Sequence, residues 1–283
     1  MPILVTGATG TVGGSLVRQL VDAGHRVRAL TRDPGSPAAR RLPAQVEVVR
    51  GDFATPGSLV PALRGVTRMH LVAIDGYGPL TTGPEILALA EQAGVRRITH
   101  LGHNDPSRDD DDPLEADHRS LQRAIEASGL EWTHLFPGEF MANTWEWSGS
   151  IRAECVVRAP FGDWNSAMVH EADIAAIAIA ALLDDGHAGR TYMPTGPEPV
   201  RRRDAVRMIG EAIGRDVRFV ELTPDEARAH WRGTYPEEII EWFLEMGDYP
   251  EGNATVLPDV EQVTGRPGRT FRQWATEHAN DFR

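Results

Sequence analysis

The feature that most constrains the fold is a glycine-rich turn near the start of the chain. It follows the apolar run at 2–6 and precedes a segment whose apolar residues recur at three- and four-residue spacing. Glycines here allow a tight turn, a close backbone approach to a pyrophosphate, and close packing of a helix on a strand. The helix then offers unpaired N–H groups to phosphate oxygens. This context predicts a dinucleotide-binding βαβ unit. The residues expected to bind the cofactor here are Thr6, Gly7, Thr9, Gly10, Thr11, Val12 and Gly13.

The end of the second predicted strand discriminates between the two nicotinamide cofactors. An acidic side chain there accepts from the ribose 2′-hydroxyl and repels a 2′-phosphate, whereas the planar fork of an arginine binds that phosphate. The chain has Arg32 at this position, with Arg28 as a second candidate cation. We therefore expect NADP(H). Asp33 follows directly and leaves NAD as the alternative.

Short apolar runs alternate with helical patterns over about the first 140 residues, which is typical of a parallel sheet with crossover helices. The strands are predicted at 2–6, 26–30, 46–50, 67–73, 97–101 and 131–136, and the helices near 13–23, 56–64, 80–93 and 114–128. Residues 141–165 are expected to be loop-like. The predicted fold class is α/β, a Rossmann-type doubly wound parallel sheet with a small α/β C-terminal lobe.

The rest of the chain predicts how the domains are divided. The later elements are a helix at about 171–183, a strand at 190–193, a helix at 201–213, a strand at 216–221 and two further helices. We expect a dinucleotide-binding domain at 1–144, to which the chain returns at about 166–195. Residues 145–165 and 196–283 would form a smaller substrate-side lobe, packed closely on the nucleotide domain.

Composition and charge exclude several classes of protein. The formal net charge of −12 argues against a general nucleic-acid binder, which needs a basic surface. A single cysteine, Cys155, excludes an intrachain disulfide. The start of the chain has no signal-peptide pattern, and the longest apolar run, 174–183, is too short to span a bilayer. We expect a cytoplasmic protein without membrane partners. Both a monomer and a homodimer are compatible with the sequence.

Several further stretches, taken together, resemble the NmrA-like, atypical branch of the short-chain dehydrogenase/reductase superfamily, over roughly residues 1–225. Besides the glycine-rich turn, the resemblance is carried by the stretches 28–34, 49–53, 93–98, 128–133, 137–143, 169–175 and 189–192. It implies a Rossmann fold with a nucleotide along the carboxyl ends of the strands. It further implies that the adenine lies beside Asp52 and Phe53, that Ala73 and Ile74 line the cofactor, and that 137–143 flank the nicotinamide and substrate, with Pro137 on the cofactor and Phe140 and Asn143 on the substrate.

The chain lacks the proton relay of ordinary members of that superfamily, in which a tyrosine donates the proton and a lysine four residues later lowers its pKa. There is no Tyr-x-x-x-Lys, and the chain contains no lysine. Where a serine usually ends the fifth strand, the sequence reads His100-Leu101-Gly102-His103. Any proton transfer must therefore use other groups.

Two histidines are the candidate proton donors. His118 is at a position where the family keeps a polar helix residue facing the cofactor, and His103 follows the fifth strand at the edge where open α/β sheets bind ligands. An imidazole can donate near neutral pH. The alternatives are a structural hydrogen bond for His118 and a solvent-exposed loop position for His103. No histidine and carboxylate have metal-ligand spacing, so we expect no catalytic metal.

Tryptophans follow the predicted substrate edge. Trp145 and Trp164 are expected to form a wall for a flat apolar substrate, and the alternative is that they form the core of the smaller lobe. The sequence thus predicts an NADPH-dependent reductase of a small or medium-sized carbonyl, enone or quinone-like compound, expected to be aromatic. The alternatives are a non-catalytic NADP(H)-sensing regulator and a redox-neutral isomerase, lyase or cyclase.

Overall fold

The computed structural model describes residues 1–72, 82–102, 113–245, 247 and 252–283, with only the backbone for 113–117. Its strands are β1 (Ile3–Val5), β2 (Val27–Thr31), β3 (Glu47–Arg50), β4 (Arg68–Val72), β5 (Arg97–Leu101), β6 (Glu131–Leu135), β7 (Val156–Ala159), β8 (Asn165–Ser166), β9 (Arg190–Tyr192), β10 (Val200–Arg201) and β11 (Arg218–Glu221). Its helices are α1 (Thr11–Asp22), α2 (Val60–Leu63), α3 (Gly83–Gln92), α4 (Pro113–Glu126), α5 (Ser148–Glu154), α6 (Glu171–Leu183), α7 (Arg202–Ile213), α8 (Pro224–Trp231), α9 (Glu237–Glu245), α10 (Asp259–Thr264) and α11 (Phe271–Glu277).

The chain divides into two compact units. The first consists of Met1–Pro137, Glu171–Pro194 and Gln262–Gly265, and the second of Gly138–His170, Thr195–Glu261 and Arg266–Arg283. The chain therefore passes between the two units several times.

The first unit is built on one parallel sheet with the strand order β3-β2-β1-β4-β5-β6-β9. The chain moves outward from β1 to β3 and then returns to the other side of β1 with β4. Open α/β sheets bind ligands at such a reversal, outside the carboxyl ends of the strands. The predicted doubly wound Rossmann-type sheet is confirmed, and its reversal lies between β1 and β4.

Helices cover both faces of this sheet because their apolar residues match it. α1 buries one stripe, with Val12, Leu16 and Leu20 at spacings of four residues, and it packs against α6. The opposite face carries a core to which α3 and α4 contribute Ile86 and Ile125. The predicted helix at 56–64 is present as a 3₁₀ turn, Pro56–Leu59, followed by the short α2.

The second unit has its own apolar core and two small sheets. β8 pairs antiparallel with β10, and β7 pairs in parallel with β11. Its core includes the fully buried side chains of Ile151, Val157, Ile209, Trp274 and Phe282. The unit is therefore an α/β assembly with its own hydrophobic centre.

The expectation that residues 141–165 are loop-like is wrong. They contain a 3₁₀ helix, Met141–Trp147, then α5, β7 and the start of β8. These elements are too short to show a clear hydrophobic period, and β7 is held by pairing with β11, about 60 residues later in the chain. Among the described residues, no helix combines the length and the apolar character needed to cross a membrane.

Candidate cofactor site and neighbouring histidines

Residues 6–13, called the phosphate loop below, join β1 to the first turn of α1. Their backbone has the geometry expected of a turn that binds phosphate. Gly7 has a φ of +59°, in the left-handed region that other residues rarely adopt. The N–H of Gly10 donates to the carbonyl oxygen of Gly7 over 2.9 Å and closes the turn. A Cβ on Gly13 would lie 2.2 Å from that same oxygen. Glycine is thus required at position 7 by conformation and at position 13 by space.

The amino end of α1 is open to an anion. Its N-cap, Gly10, has no side chain that could cap it, and the first turn of the helix carries no acidic residue. The first N–H groups of a helix lack intrahelical partners and carry a partial positive charge. Gly7, Thr9 and Gly10 are exposed and Thr11 is half-buried. These residues fit a pyrophosphate, which would accept hydrogen bonds from the backbone of the loop.

Thr6, the first residue of the phosphate loop, is fully buried and connects the loop to β4. Its N–H donates to the carbonyl oxygen of His70 over 3.0 Å, and its hydroxyl accepts from the N–H of Val72 over 2.8 Å. Both bonds join β1 to β4 at their carboxyl ends. Val12 and Gly13 are also buried. Among the predicted loop residues, these three hold the loop in place while the exposed ones remain the candidates for direct contact.

Arg32 lies directly after β2 with an exposed side chain, as a 2′-phosphate ligand requires. The carboxylate of Asp33 is partly used within its own loop, because Oδ1 accepts a hydrogen bond from the N–H of Gly35 over 2.8 Å. The strand register places Arg50, also exposed, opposite Thr31. Arg50 is a second cation at this edge, which the sequence reasoning missed and which only the pairing of β2 with β3 reveals.

Arg28 does not assist Arg32, and this expectation is corrected. The side chain is buried, and its Nη1 donates to the carbonyl oxygens of Ala62 and Arg64 over 2.8 and 2.7 Å. Its Nη2 lies 2.9 Å from Glu47 Oε2. The guanidinium therefore holds the carboxyl end of α2 and the residue after it against the sheet.

The residues expected around the adenine lie at the end of β3. Asp52 Oδ1 accepts from the N–H of Ala54 over 3.0 Å, and the side chain of Phe53 is half-buried against the core of the first unit. Pro137 is half-buried after β6. The remaining predicted positions Ala73, Ile74 and His103 lie outside the described residues. The assignment of all these residues to the cofactor stays a prediction.

His118 lies on α4 and is half-buried. It is close enough to His100, on β5, for its charge to contribute to lowering the pKa of that residue. His100 itself was passed over in the sequence reasoning, where it marked only the absence of a serine. In the structure it is buried and forms part of a group of histidines on neighbouring strands.

Three buried histidines lie on β4, β5 and β6. His100 Nδ1 is 3.1 Å from Nδ1 of His134. His70 lies on the opposite face of the sheet, with its Nδ1 2.8 Å from the hydroxyl of Thr99. Burial lowers the pKa of His70 and of His134 to about 4. Burial, and then the charges of neighbouring histidines, lower the pKa of His100 to about 3. All three imidazoles are neutral at neutral pH.

The predicted substrate residues lie in the second unit and differ in their surroundings. Phe140 and Trp145 pack against its hydrophobic core, where the ring of Trp145 lies 5.6 Å from that of Trp274. Asn143 is exposed. The indole N–H of Trp145 is buried and has no hydrogen-bond partner among the described residues. Phe140 and Trp145 thus share one core, and their contact with a substrate stays a prediction.

Trp164 lines a cavity of about 420 Å³ together with Phe161, Arg203 and Phe219. The guanidinium of Arg202 lies 6.0 Å from the centre of its ring. Trp164 therefore lines a concave, partly aromatic cavity within the second unit, whereas Trp145 packs against the hydrophobic core of that unit.

A second group of titratable side chains lies in the second unit, where His170 meets residues at the end of α11. His170 is buried, with Nε2 3.2 Å from Glu277 Oε2, and its ring is 6.3 Å from that of His278. Imidazole and carboxylate are common ligands of transition metals. The sequence reasoning missed this group because its members are separated by about a hundred residues. The expectation of no catalytic metal stays a prediction.

Comparisons with known proteins agree with this architecture. The model of the NmrA-like family matches residues 1–276. The chain is 40% identical, over 99% of each chain, to the (4-alkanoyl-5-oxo-2,5-dihydrofuran-3-yl)methyl phosphate reductase of Streptomyces griseus subsp. griseus. It is 32% identical, over 99% of each chain, to the NAD(P)H azoreductase of Xenophilus azovorans.

Its fold is also similar to that of the Citrobacter sp. triphenylmethane reductase complexed with NADP(H), with a TM-score of 0.79 at 22% identity, over 98% of this chain and 99% of the other. With the family model matching nearly its whole length, the chain belongs to the NmrA-like family.

Proposed function

We propose that the protein is an NADPH-dependent reductase of a small, electron-poor molecule, such as an alkene conjugated to a carbonyl group or a quinone. The observation that carries the proposal is the phosphate loop, in which Gly7 and Gly13 leave the amino end of α1 open, together with Arg32 after β2. These residues would hold the pyrophosphate and the 2′-phosphate. When bound, NADPH supplies the hydride. Full-length similarity to two named reductases supports the same assignment.

The missing Tyr-x-x-x-Lys pair narrows the class of substrate. Reduction of an unactivated ketone produces an alkoxide, which needs an acid in position at the moment of hydride transfer. A hydride added to a conjugated alkene or a quinone instead produces an enolate or a phenolate, in which the charge is delocalised. Such an anion is stable enough to be protonated in a later step. A chain without the usual acid is therefore suited to these acceptors.

The name of the Streptomyces relative describes an acceptor of this kind, an unsaturated lactone that also carries an acyl group. The name of the second relative describes an azo compound as acceptor. At 40% identity along the whole chain, the first is the better guide to substrate chemistry. We infer that an alkene activated by one or two carbonyl groups is the preferred acceptor here.

The test uses the purified protein with NADPH and a panel of acceptors. The panel contains an acylated unsaturated lactone with and without a phosphomethyl group, a para-quinone, an azo dye and a simple aliphatic ketone. We expect consumption of NADPH with the lactones or the quinone and none with the ketone. NADH in place of NADPH is expected to react more weakly, because it lacks the 2′-phosphate for Arg32. No consumption with any activated acceptor would overturn the proposal.

A non-catalytic NADP(H)-sensing role is the second candidate, favoured by the absence of lysine and of the Tyr-x-x-x-Lys pair. A sensor must bind NADP⁺ and NADPH with different affinities, because a ligand shifts a conformational equilibrium only through differential binding. Calorimetric titration with both nucleotides distinguishes the two functions. A large difference in affinity without turnover favours the sensor, and turnover favours the reductase. Nucleotide binding with product formation but no net oxidation would instead indicate a redox-neutral enzyme.

A further inference from the structure

Two histidines on adjacent strands form a direct contact inside the first unit. The parallel pairing of β5 with β6 places His100 opposite His134, on the same face of the sheet. Their exposures are 2% and 0%, and their Nδ1 atoms are 3.1 Å apart. At this distance one ring must donate a proton and the other must accept it. The two imidazoles therefore share one hydrogen bond that runs between the strands.

The outer end of this pair reaches the surface. His134 Nε2 lies 3.5 Å from Oε1 of Glu126, the last residue of α4. This contact is not a formed hydrogen bond, so the Glu126 side chain must approach His134 Nε2 more closely before a proton can pass between them. The side chain of Glu126 is 37% exposed, so it is in contact with water. Trp132 and Phe136 lie on either side of the His134 ring, with ring centres 4.6 and 5.4 Å away. These aromatic rings cover the faces of the imidazole, and its Nδ1 is hydrogen-bonded to His100.

The inner end of the pair lies at the carboxyl end of β5. A Cβ on Gly102 would be 2.9 Å from His100 Nε2 and 2.6 Å from Cε1, so a side chain at that position would collide with the ring. No described residue offers His100 Nε2 a hydrogen-bond partner, although the atom is buried. A buried polar nitrogen without a partner is costly, and a ligand that hydrogen-bonds to it would remove this cost. This is the edge of the sheet at which ligands of open α/β folds bind.

The imidazoles of this pair stay neutral, as their low pKa values require. A neutral imidazole has one N–H and one lone pair, so two rings joined through Nδ1 must be opposite tautomers. In one arrangement His100 carries its proton on Nε2 and His134 on Nδ1. In the other, His100 carries it on Nδ1 and His134 on Nε2. Exchange between the two arrangements moves one proton along the pair without creating a buried charge.

We propose that Glu126, His134 and His100 form a proton relay from the surface to the carboxyl end of β5, which delivers the proton that completes the reduction. The inference rests on the proposed function. After hydride addition, the substrate anion takes the proton from His100 Nε2, and His100 Nδ1 takes the proton of His134 Nδ1. Water protonates the Glu126 carboxylate, which passes this proton to His134 Nε2 and returns to its ionised form. The sum is one hydride from NADPH and one proton from water added to the substrate.

The relay replaces the absent tyrosine and lysine by a different physical route. A tyrosine donates because a nearby cation lowers its pKa. Here the donor needs no cation, because each ring passes on one proton as it receives another. His118, on α4, and His70, on the opposite face of the sheet, both act electrostatically to lower the pKa of His100.

His70 provides a matched control. It is fully buried on β4 and its pKa is lowered to about 4, as for His134. Its Nδ1 contacts the hydroxyl of Thr99, and it lies outside the proposed relay. Loss of a buried histidine for structural reasons should affect His70→Gln and His134→Gln similarly, whereas loss of the relay should affect only the latter.

The first test is nuclear magnetic resonance of the full chain with ¹⁵N-labelled histidine, without any substrate. We expect His100 and His134 to be neutral at neutral pH and to have opposite tautomers, with a hydrogen bond detectable between their Nδ1 atoms. Finding the Nε2-protonated tautomer in both rings would overturn the relay, whatever the protein reduces. This measurement therefore separates failure of the relay from failure of the proposed function.

The second test measures turnover with an acceptor that the wild type reduces. We expect Glu126→Gln and His134→Gln to lower kcat at least tenfold with little change in KM or in NADPH affinity, while His70→Gln has a much smaller effect. Added imidazole or acetate buffer should partly restore Glu126→Gln, because a small acid can replace the missing surface group. Glu126 is partly exposed, so this variant is expected to fold. Unchanged kcat and an unchanged solvent isotope effect in both relay variants would contradict the proposal.

Discussion

The phosphate loop after β1 and the histidine pair on β5 and β6 belong to the same parallel sheet but are built from different material. The loop consists of backbone, with glycine wherever a Cβ would meet another part of the chain. The pair consists of side chains, His100 and His134, whose nitrogens meet because two strands lie side by side. The loop offers backbone N–H groups to a ligand, whereas the two imidazoles of the pair form a hydrogen bond with each other.

This difference determines what disturbs each region. In the phosphate loop, a Cβ added at a glycine is expected to disturb the backbone. A change of pH is expected to have little effect there, because backbone N–H groups do not titrate. At the histidine pair, the space is already filled by aromatic and imidazole rings. A change in the protonation of the two imidazoles is therefore expected to disturb this region most. Four predictions test the comparison, in order of decreasing effect.

The largest effect is expected from acid. His70, His100 and His134 have pKa values of about 4, 3 and 4 in the folded chain, against 6.5 when exposed. Between pH 6.5 and 4 the unfolded chain therefore binds more protons, so the free energy of unfolding should rise with pH and level off above 6.5. A difference of one between the folded and unfolded pKa values of a group corresponds to about 1.4 kcal/mol. Because His100 and His134 interact, the loss towards pH 4 should be less than a simple sum, on the order of 5 kcal/mol.

Urea unfolding at a series of pH values measures this dependence. Carboxylates also destabilise a protein in acid, so the comparison variant is His134→Gln, which should flatten the curve in this range. A wild-type stability that does not change between pH 6.5 and 4 would show that the three imidazoles are not held neutral by folding.

Gly13→Ala tests the loop. The added Cβ would lie 2.2 Å from the carbonyl oxygen of Gly7, and this backbone contact cannot be relieved by a side-chain rotation. We expect a loss of about 1–3 kcal/mol in the free energy of unfolding and at least a tenfold loss in NADPH affinity, since the loop must move. Gly14→Ala is the control, because its Cβ would lie 3.6 Å from the nearest atom. Equal NADPH affinity in the two variants would contradict the proposed loop.

Arg32→Gln separates charge from backbone at the same site. Removing the guanidinium should weaken binding of NADPH by about tenfold to a hundredfold, as for a lost charge-assisted hydrogen bond of about 1.5–3 kcal/mol. Binding of NADH should change little. Arg26→Gln, at the amino end of β2, removes an exposed arginine far along the strand and should leave both affinities unchanged. Calorimetric titration of both cofactors is the measurement, and equal losses for NADPH and NADH would assign Arg32 another role.

The smallest effect is expected at Thr6, where a side chain supports the backbone loop. Thr6→Val keeps the shape but leaves the N–H of Val72 without the hydroxyl that accepts it at 2.8 Å. We expect a loss of about 1–3 kcal/mol in stability, towards the lower end because this strand end borders the loop. Thr6→Ser retains the hydroxyl and should lose less. Thermal unfolding compares the two, and equal stabilities would indicate that the bond contributes nothing.

The sequence alone was sufficient for the parts of the molecule that depend on neighbouring residues. The glycine spacing at 7, 10 and 13 and the stripe on α1 predicted the βαβ unit, since loop conformation and helix amphipathicity are local properties. The alternation of strand and helix patterns predicted the doubly wound sheet. Arg32 could be proposed as a phosphate ligand because it directly follows β2.

Only the tertiary structure decided how residues far apart in the chain are combined. The role of Arg28 depended on carbonyl groups about 35 residues later, and the position of Arg50 opposite Thr31 depended on the register of β2 with β3. The contact between His100 and His134 spans 34 residues and arises from the pairing of β5 with β6. A lone histidine in a strand pattern carries no sign of its partner, because strand order and register are set by the packing of the whole sheet.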